Sequence, residues 1–150
     1  MNFKKISFGV FVGLISGSLL GVFLKFIQNI TNINVYVLLL NVDFLPLIGK
    51  VSWPEWIEFS FHLLISCILG VTFIFLIKKT NCSIKMIWLL SFALTLPTVL
   101  LYFPLSYLAL KDVPELLNFN AIFIWTLGHL LYAISLPAIY FLGKKRMSSL

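Results

Sequence analysis

Four stretches of this chain are apolar enough and long enough to cross a lipid bilayer, and they leave little chain for anything else. Residues 6–24 run nineteen positions without a charged side chain. At 1.5 Å per residue, a helix of that length extends about 28 Å, close to the thickness of the hydrocarbon core. A second stretch covers about 57–77. A third uncharged run, 86–110, has twenty-five residues, and a fourth covers about 119–142. With 150 residues in all, 61% apolar and 11% charged, the chain departs strongly from soluble domains, which are about 25% charged. The sequence predicts an all-α integral membrane protein: one domain over residues 1–150, with four transmembrane helices in a compact bundle. The expected spans are about 6–28, 57–77, 84–103 and 119–142, with outer loops at 31–53 and 104–118.

The ends of the spans carry recognisable signals. Lys4 and Lys5 precede the first span, as in a signal peptide. The apolar run is longer than a signal core, however, and no small-x-small site stands before Lys25, so it is expected to be retained. Pro54 suits the first turn of span two, where its missing N–H is not needed, and Trp53 and Trp56 suit the membrane interface. Pro97 and Pro137 are expected to kink spans three and four, and Pro104 to mark a further kink or the exit of span three. Gly143, followed by Lys144, Lys145 and Arg146, reads as the stop of span four.

Charge sets the expected orientation. Lys4, Lys5, Lys78, Lys79, Lys85, Lys144, Lys145 and Arg146 all fall on one side of a four-span arrangement. Asp43, Glu55, Glu58, Asp112 and Glu115 fall on the other, with Lys25, Lys50 and Lys111. The positive-inside rule then places both termini in the cytoplasm. The net charge of +6 is too dispersed among helices to form a phosphate-binding surface, so nucleic acid is not an expected partner. Lysine far exceeds arginine, as in AT-rich bacterial genomes, which points to the bacterial cytoplasmic (inner) membrane. Within the loop 31–53, the apolar stretches 35–40 and 44–48 are too short to span and are expected to form a partly buried outer cap.

Several helix faces carry chemistry. Gly9, Gly13, Gly17 and Gly21 recur every fourth residue, a glycine zipper that lets another backbone approach closely. It can serve packing within the bundle, an oligomer seam or the wall of a pathway. In span two, Glu55, Glu58, His62, Ser66 and Gly70 share a face, and Glu58 and His62 are one turn apart, close enough to share a proton. In span four, His129 lies deep, with Trp125 and Tyr132 on its face. It is expected to point into the bundle, against the polar stripe of span two or of span three (Ser91, Thr95, Thr98, Tyr102). Glu58, His62, Ser66, His129 and Tyr132 are therefore the candidate polar, pH-responsive residues. Lys25 is expected to snorkel or to pair with Glu58. No HxxxH, HExxH, CxxC, GxSxG or phosphate loop occurs, so no metal, cofactor or catalytic residue is expected. Cys67 and Cys82 read as free thiols.

Gly13-Leu14-Ile15-Ser16-Gly17 with Lys25 closing the helix, His62-x-x-x-Ser66 before Gly70, Pro104-Leu105 with Pro114, and Gly128-His129-Leu130 before a basic end resemble the YagU-like family of small bacterial inner-membrane proteins. The family's proline- and arginine-rich outer loop is missing, since 31–53 has one proline and no arginine. The resemblance implies a multi-span membrane protein with two recurring histidines and a loose link to acid tolerance, without a substrate. The expected function is a proton-responsive, small-solute transport or stress-tolerance protein. The alternatives are an accessory subunit packing against a larger membrane complex through the Gly9–Gly21 face and, more remotely, a lipid-active enzyme. Expected partners are the bilayer and either a second copy of the chain or that larger complex.

Overall fold

The structure, a computed structural model, describes residues 3–43, 45–46, 48–49 and 51–147. Lys50, together with Phe44 and Leu47 of the second short apolar stretch, lies outside the described residues, as do the side chains of Lys145 and Arg146. The chain forms six helices: α1 (Phe3–Thr31), α2 (Val35–Leu39), α3 (Glu55–Thr80), α4 (Ile84–Leu100), α5 (Tyr102–Leu108) and α6 (Phe119–Met147). Four helical segments are long and apolar enough to cross a membrane: α1, α3, α4 with α5, and α6. Hydrocarbon offers the backbone no hydrogen-bond partner, so each span must satisfy its own N–H and C=O groups as a helix.

The helix ends follow local chemistry. Asn81, in the left-handed region at φ 46°, stops α3, a conformation asparagine tolerates better than most residues. Ser83 caps α4, its Oγ accepting from Met86 N at 3.4 Å. Pro54 stands just outside α3, extended, with its carbonyl accepting from Ile57 and Glu58 N–H.

Two expected boundaries move. The third span does not end at 103. α4 is interrupted at Leu101 and the chain resumes as α5, because Pro104 falls in the first turn of that new helix, where an N–H would have no intrahelical partner. Residues 104–108 are therefore helix rather than loop. Nor does Gly143 end α6, which runs on to Met147; none of the described glycines adopts a positive φ.

α1 is the central helix, flanked by α3 and α6, while α4 packs along α6 and only sparsely on α3. The neighbours run antiparallel. Gly9 meets Val71, Gly13 meets Ser66 and Gly21 meets Phe59, so α1 and α3 run in opposite directions. Gly128 meets Leu20 and Leu24, and Gly143 meets Phe8, so α6 is antiparallel to α1. The two chain ends and the α3–α4 turn thus share one end of the bundle, the basic end. All five acids lie at or near the other, the acidic end.

The four glycines of α1 face α3 of the same chain along their whole length. A Cβ placed on the opposing Gly70 would stand 2.6 Å from Gly13 N and 2.7 Å from Gly13 Cα, both backbone atoms that cannot swing away. The face offered to a larger complex in the accessory-subunit reading is therefore already filled from within.

At the acidic end the loop after α1 folds back as α2. Val35 and Leu38 are completely buried, and Tyr36, Leu40 and Asn41 nearly so. α2 rests on α1, α5 and α6. Gln28 of α1 caps it, its Oε1 accepting from Tyr36 N at 2.9 Å and Val37 N at 3.1 Å. This is the partly buried cap expected over 35–40.

Gly70→Ala is expected to destabilise the bundle by about 1–3 kcal/mol, because the added methyl must force two backbones apart. Gly21→Ala, which would meet only the Phe59 ring, is expected to cost less. Thermal or denaturant unfolding of the two variants in detergent measures the difference.

Candidate functional site

The polar groups buried in mid-bundle collect where α3 and α6 lean on the glycine face of α1. Glycines leave their own carbonyls uncovered, and the side chains of α3 use them. Ser66 Oγ lies 2.6 Å from Gly13 O, and His62 Nε2 lies 3.1 Å from Gly17 O. From α6, Tyr132 Oη stands 3.1 Å from Ser66 Oγ and 3.3 Å from Ser66 O. Ser66 has one hydroxyl proton, and the short bond to Gly13 O takes it. The Tyr132 hydroxyl is then the donor toward Ser66. Three helices are joined in this way by neutral hydrogen bonds, each worth about 0.6 kcal/mol in a membrane interior.

His129 points into the bundle, as its depth demands, and only 4% of it is exposed. Its bonded partner is not a neighbouring span. Nδ1 lies 2.9 Å from Trp125 O, one turn back on α6. The ring also lies against the Trp125 indole, 4.4 Å between centroids, and the indole N–H donates to Val99 O of α4 at 3.1 Å. A carbonyl only accepts, so the bonded nitrogen carries the proton in each histidine, Nε2 in His62 and Nδ1 in His129. The other ring nitrogen of each neutral imidazole is left as an acceptor.

The structure separates some of the groups that residue spacing places together. Glu58 does not share a proton with His62. It is nearly buried and pairs with Lys111 from the loop before α6. Lys25 pairs with Glu55 at 2.5 Å rather than with Glu58. On α4, Thr95 and Thr98 bond carbonyls of their own helix. Ser91 alone reaches across, donating to Ala133 O at 2.6 Å. Ser16 is completely buried and its Oγ has no partner among the described residues.

A second polar group holds the acidic end together. Tyr36 donates to Glu55 at 3.1 Å and lies under the Lys25 ammonium. Burial, and then the carboxylates of Glu55 and Glu58, push its phenol well above the ordinary value. Asp43 accepts from the backbone N–H of Leu110 and Lys111 at 3.1 and 3.0 Å, and Asn34 donates to Asp112 at 3.0 Å. These bonds clasp the loop carrying α2 to the loop before α6. Nothing in the spacing of Asp43 and Lys111 announces the contact, since 68 residues separate them. Lys25, Gln28, Tyr36, Glu55 and Glu58 also line a cavity of about 240 Å3. Among the described residues, no three His, Cys, Asp or Glu side chains gather so as to hold a metal ion.

No protein-family model, curated protein or solved structure matches the chain. The fold and the site define a multi-span helical membrane protein whose four spans are joined by close backbone packing and neutral hydrogen bonds.

Lys111→Met is expected to destabilise the protein by about 1–3 kcal/mol, because it leaves the buried Glu58 carboxylate without its partner. Glu58→Gln is expected to cost less, since the lysine it frees is a third exposed and can turn to water. Unfolding midpoints of the two single variants and the double variant check the order. The double variant should recover part of the loss.

Proposed function

We propose that this is a proton-responsive protein of the bacterial cytoplasmic membrane, with both termini in the cytoplasm. The observation that carries this reading is the presence of two imidazoles within the spans, the half-buried His62 of α3 on the Gly17 carbonyl and the buried His129 of α6 on the Trp125 carbonyl. Each holds a backbone carbonyl through one nitrogen and has a second nitrogen that can take a proton.

Protonating either would place a charge inside a seam built for neutral groups. The groups these rings touch are the Gly17 carbonyl and the Phe59 ring around His62, and the Trp125 carbonyl and indole around His129, and none of these carries negative charge. The nearest acid along α3, Glu58, is engaged by Lys111. Acidification therefore favours a looser packing of α3 and α6 on α1. Proton or small-solute transport and acid-stress tolerance are the roles such a response would serve, and no catalytic step belongs to this reading. The proposal also places the chain with the YagU-like proteins. In its favour, Gly13, Gly17, Ser66, Gly70 and Gly128, five of the residues that carry the resemblance, fall on the contacts of α1 with α3 and α6.

Trp125 offers a direct readout, because an imidazolium quenches the emission of an indole it touches. In bilayer nanodiscs, emission is expected to hold steady through neutral pH and to fall only on acidification below about pH 5, because burial disfavours the imidazolium, and the fall should vanish in both His129→Gln and Trp125→Phe. Emission that is flat in the wild type, or unchanged by His129→Gln, would overturn the reading. Proton flux in proteoliposomes that is equal in wild type and His129→Ala would remove the transport role.

The orientation has its own test. A periplasm-dependent reporter inserted after Val113 is expected to be active, and the same reporter fused after Leu150 to be inactive. The opposite pattern would invert the topology.

A further inference from the structure

α3 and α4 share a short turn at the basic end but pack only sparsely on each other. Between them lies a groove of about 530 Å3. Leu76 of α3 and Met86, Leu89 and Ala93 of α4 form its walls, and Thr80 and Ser83 form a polar collar at its mouth. From Ser83 to Ala93 a helix advances about 15 Å, half the hydrocarbon thickness and so the depth of one leaflet. The walls are apolar, and the turn at the mouth is flanked in sequence by Lys78 and Lys79 at the end of α3 and Lys85 at the start of α4, all three exposed, with the Lys79 ammonium over the Phe75 ring, from which it can turn toward a phosphate. None of the five acids of the chain lies at this end.

We infer that this groove holds one acyl chain of an anionic phospholipid, with the headgroup phosphate among Lys78, Lys79 and Lys85. The shape matches a single chain from one leaflet, and the sign of the collar selects the headgroup. A lysine near an anionic membrane surface contributes about 1 kcal/mol, so three of them favour an anionic lipid clearly over a zwitterionic one. A second copy of this chain is a poorer occupant, because docking the same end would bring like-charged lysines together. The inference stands independently of the proton-responsive reading, since none of these residues touches His62 or His129.

Native mass spectrometry of the full chain, released from micelles holding equal phosphatidylglycerol and phosphatidylcholine, tests it. Phosphatidylglycerol is expected to be retained about a hundredfold over phosphatidylcholine. Replacing Lys78, Lys79 and Lys85 together by Gln should bring the ratio close to one, whereas Lys25→Gln at the other end should leave it unchanged. Leu89→Trp and Ala93→Trp, which fill the groove and keep the lysines, should each lower retention severalfold. Both positions are exposed, so the substitutions do not disturb the core, and unchanged unfolding midpoints confirm that. Equal retention of the two lipids by the wild type would overturn the inference. An anionic preference that survives both groove-filling variants would also overturn it, by placing the lipid on the lysines alone.

Discussion

The backbone of α1 touches the backbone of α3, and most of the bundle follows from that contact. Lipid tails are as apolar as leucine side chains, so spans gain little by hiding apolar surface from one another. They associate through close packing and through hydrogen bonds that hydrocarbon cannot supply. Gly9, Gly13, Gly17 and Gly21 on one helix and Gly70 on the other remove the side chains that would hold the axes apart. The same absence of side chains uncovers the carbonyls of Gly13 and Gly17, and Ser66 and His62 reach them. α6 joins by the same means, with Gly128 lying against Leu20 and Leu24 and Tyr132 extending to Ser66. The hydrogen bonds are individually small, about 0.6 kcal/mol each, so close packing contributes more to stability and the bonds set register.

Charge and neutrality are sorted along the bundle axis. The middle holds only groups that are neutral or can be, namely hydroxyls, a phenol, an indole and two imidazoles. Carboxylates with their lysine partners sit at the acidic end, where they act on loops more than on spans. Lys111 and Glu58, and Asp43 with the amides of residues 110 and 111, tie together segments far apart in the chain. α2 is held beneath this clasp and closes the end of the bundle with Val35 and Leu38. At the basic end α3 and α4 leave a groove between them, and Lys78, Lys79 and Lys85 stand exposed beside the turn that joins them.

Much of the fold is legible in the residues because the bilayer is a severe solvent. Four uncharged runs of sufficient length can become only helices, and lysines concentrated at alternate ends of those runs order them up and down. The inward direction of His129 is legible too, since its depth and its neighbours Trp125 and Tyr132 leave an imidazole no acceptable exposure to lipid. Gly143 is misleading, and of the two roles open to Pro104 the exit from span three is the one the chain does not take. Residue type alone makes each a boundary, although a proline is harmless in the first turn of a new helix and a glycine need not leave the helical region.

The sequence by itself determined the number of spans, their helical form, their alternation and the glycine face of α1, because each depends on local composition and on a solvent that permits few alternatives. Only the tertiary structure decided what each polar group meets. Residue spacing offered Glu58 to His62, Lys25 to Glu58 and His129 to a neighbouring span. The packed chain pairs Glu58 with Lys111, Lys25 with Glu55 and His129 with the carbonyl of its own Trp125. The reason is geometric. A partner three or four residues away on a helix is always nearby, but so is every group that a second helix or a returning loop brings to the same depth. Which of these comes within hydrogen-bonding distance depends on how closely the backbones approach, and that is set jointly by side chains far apart in the sequence.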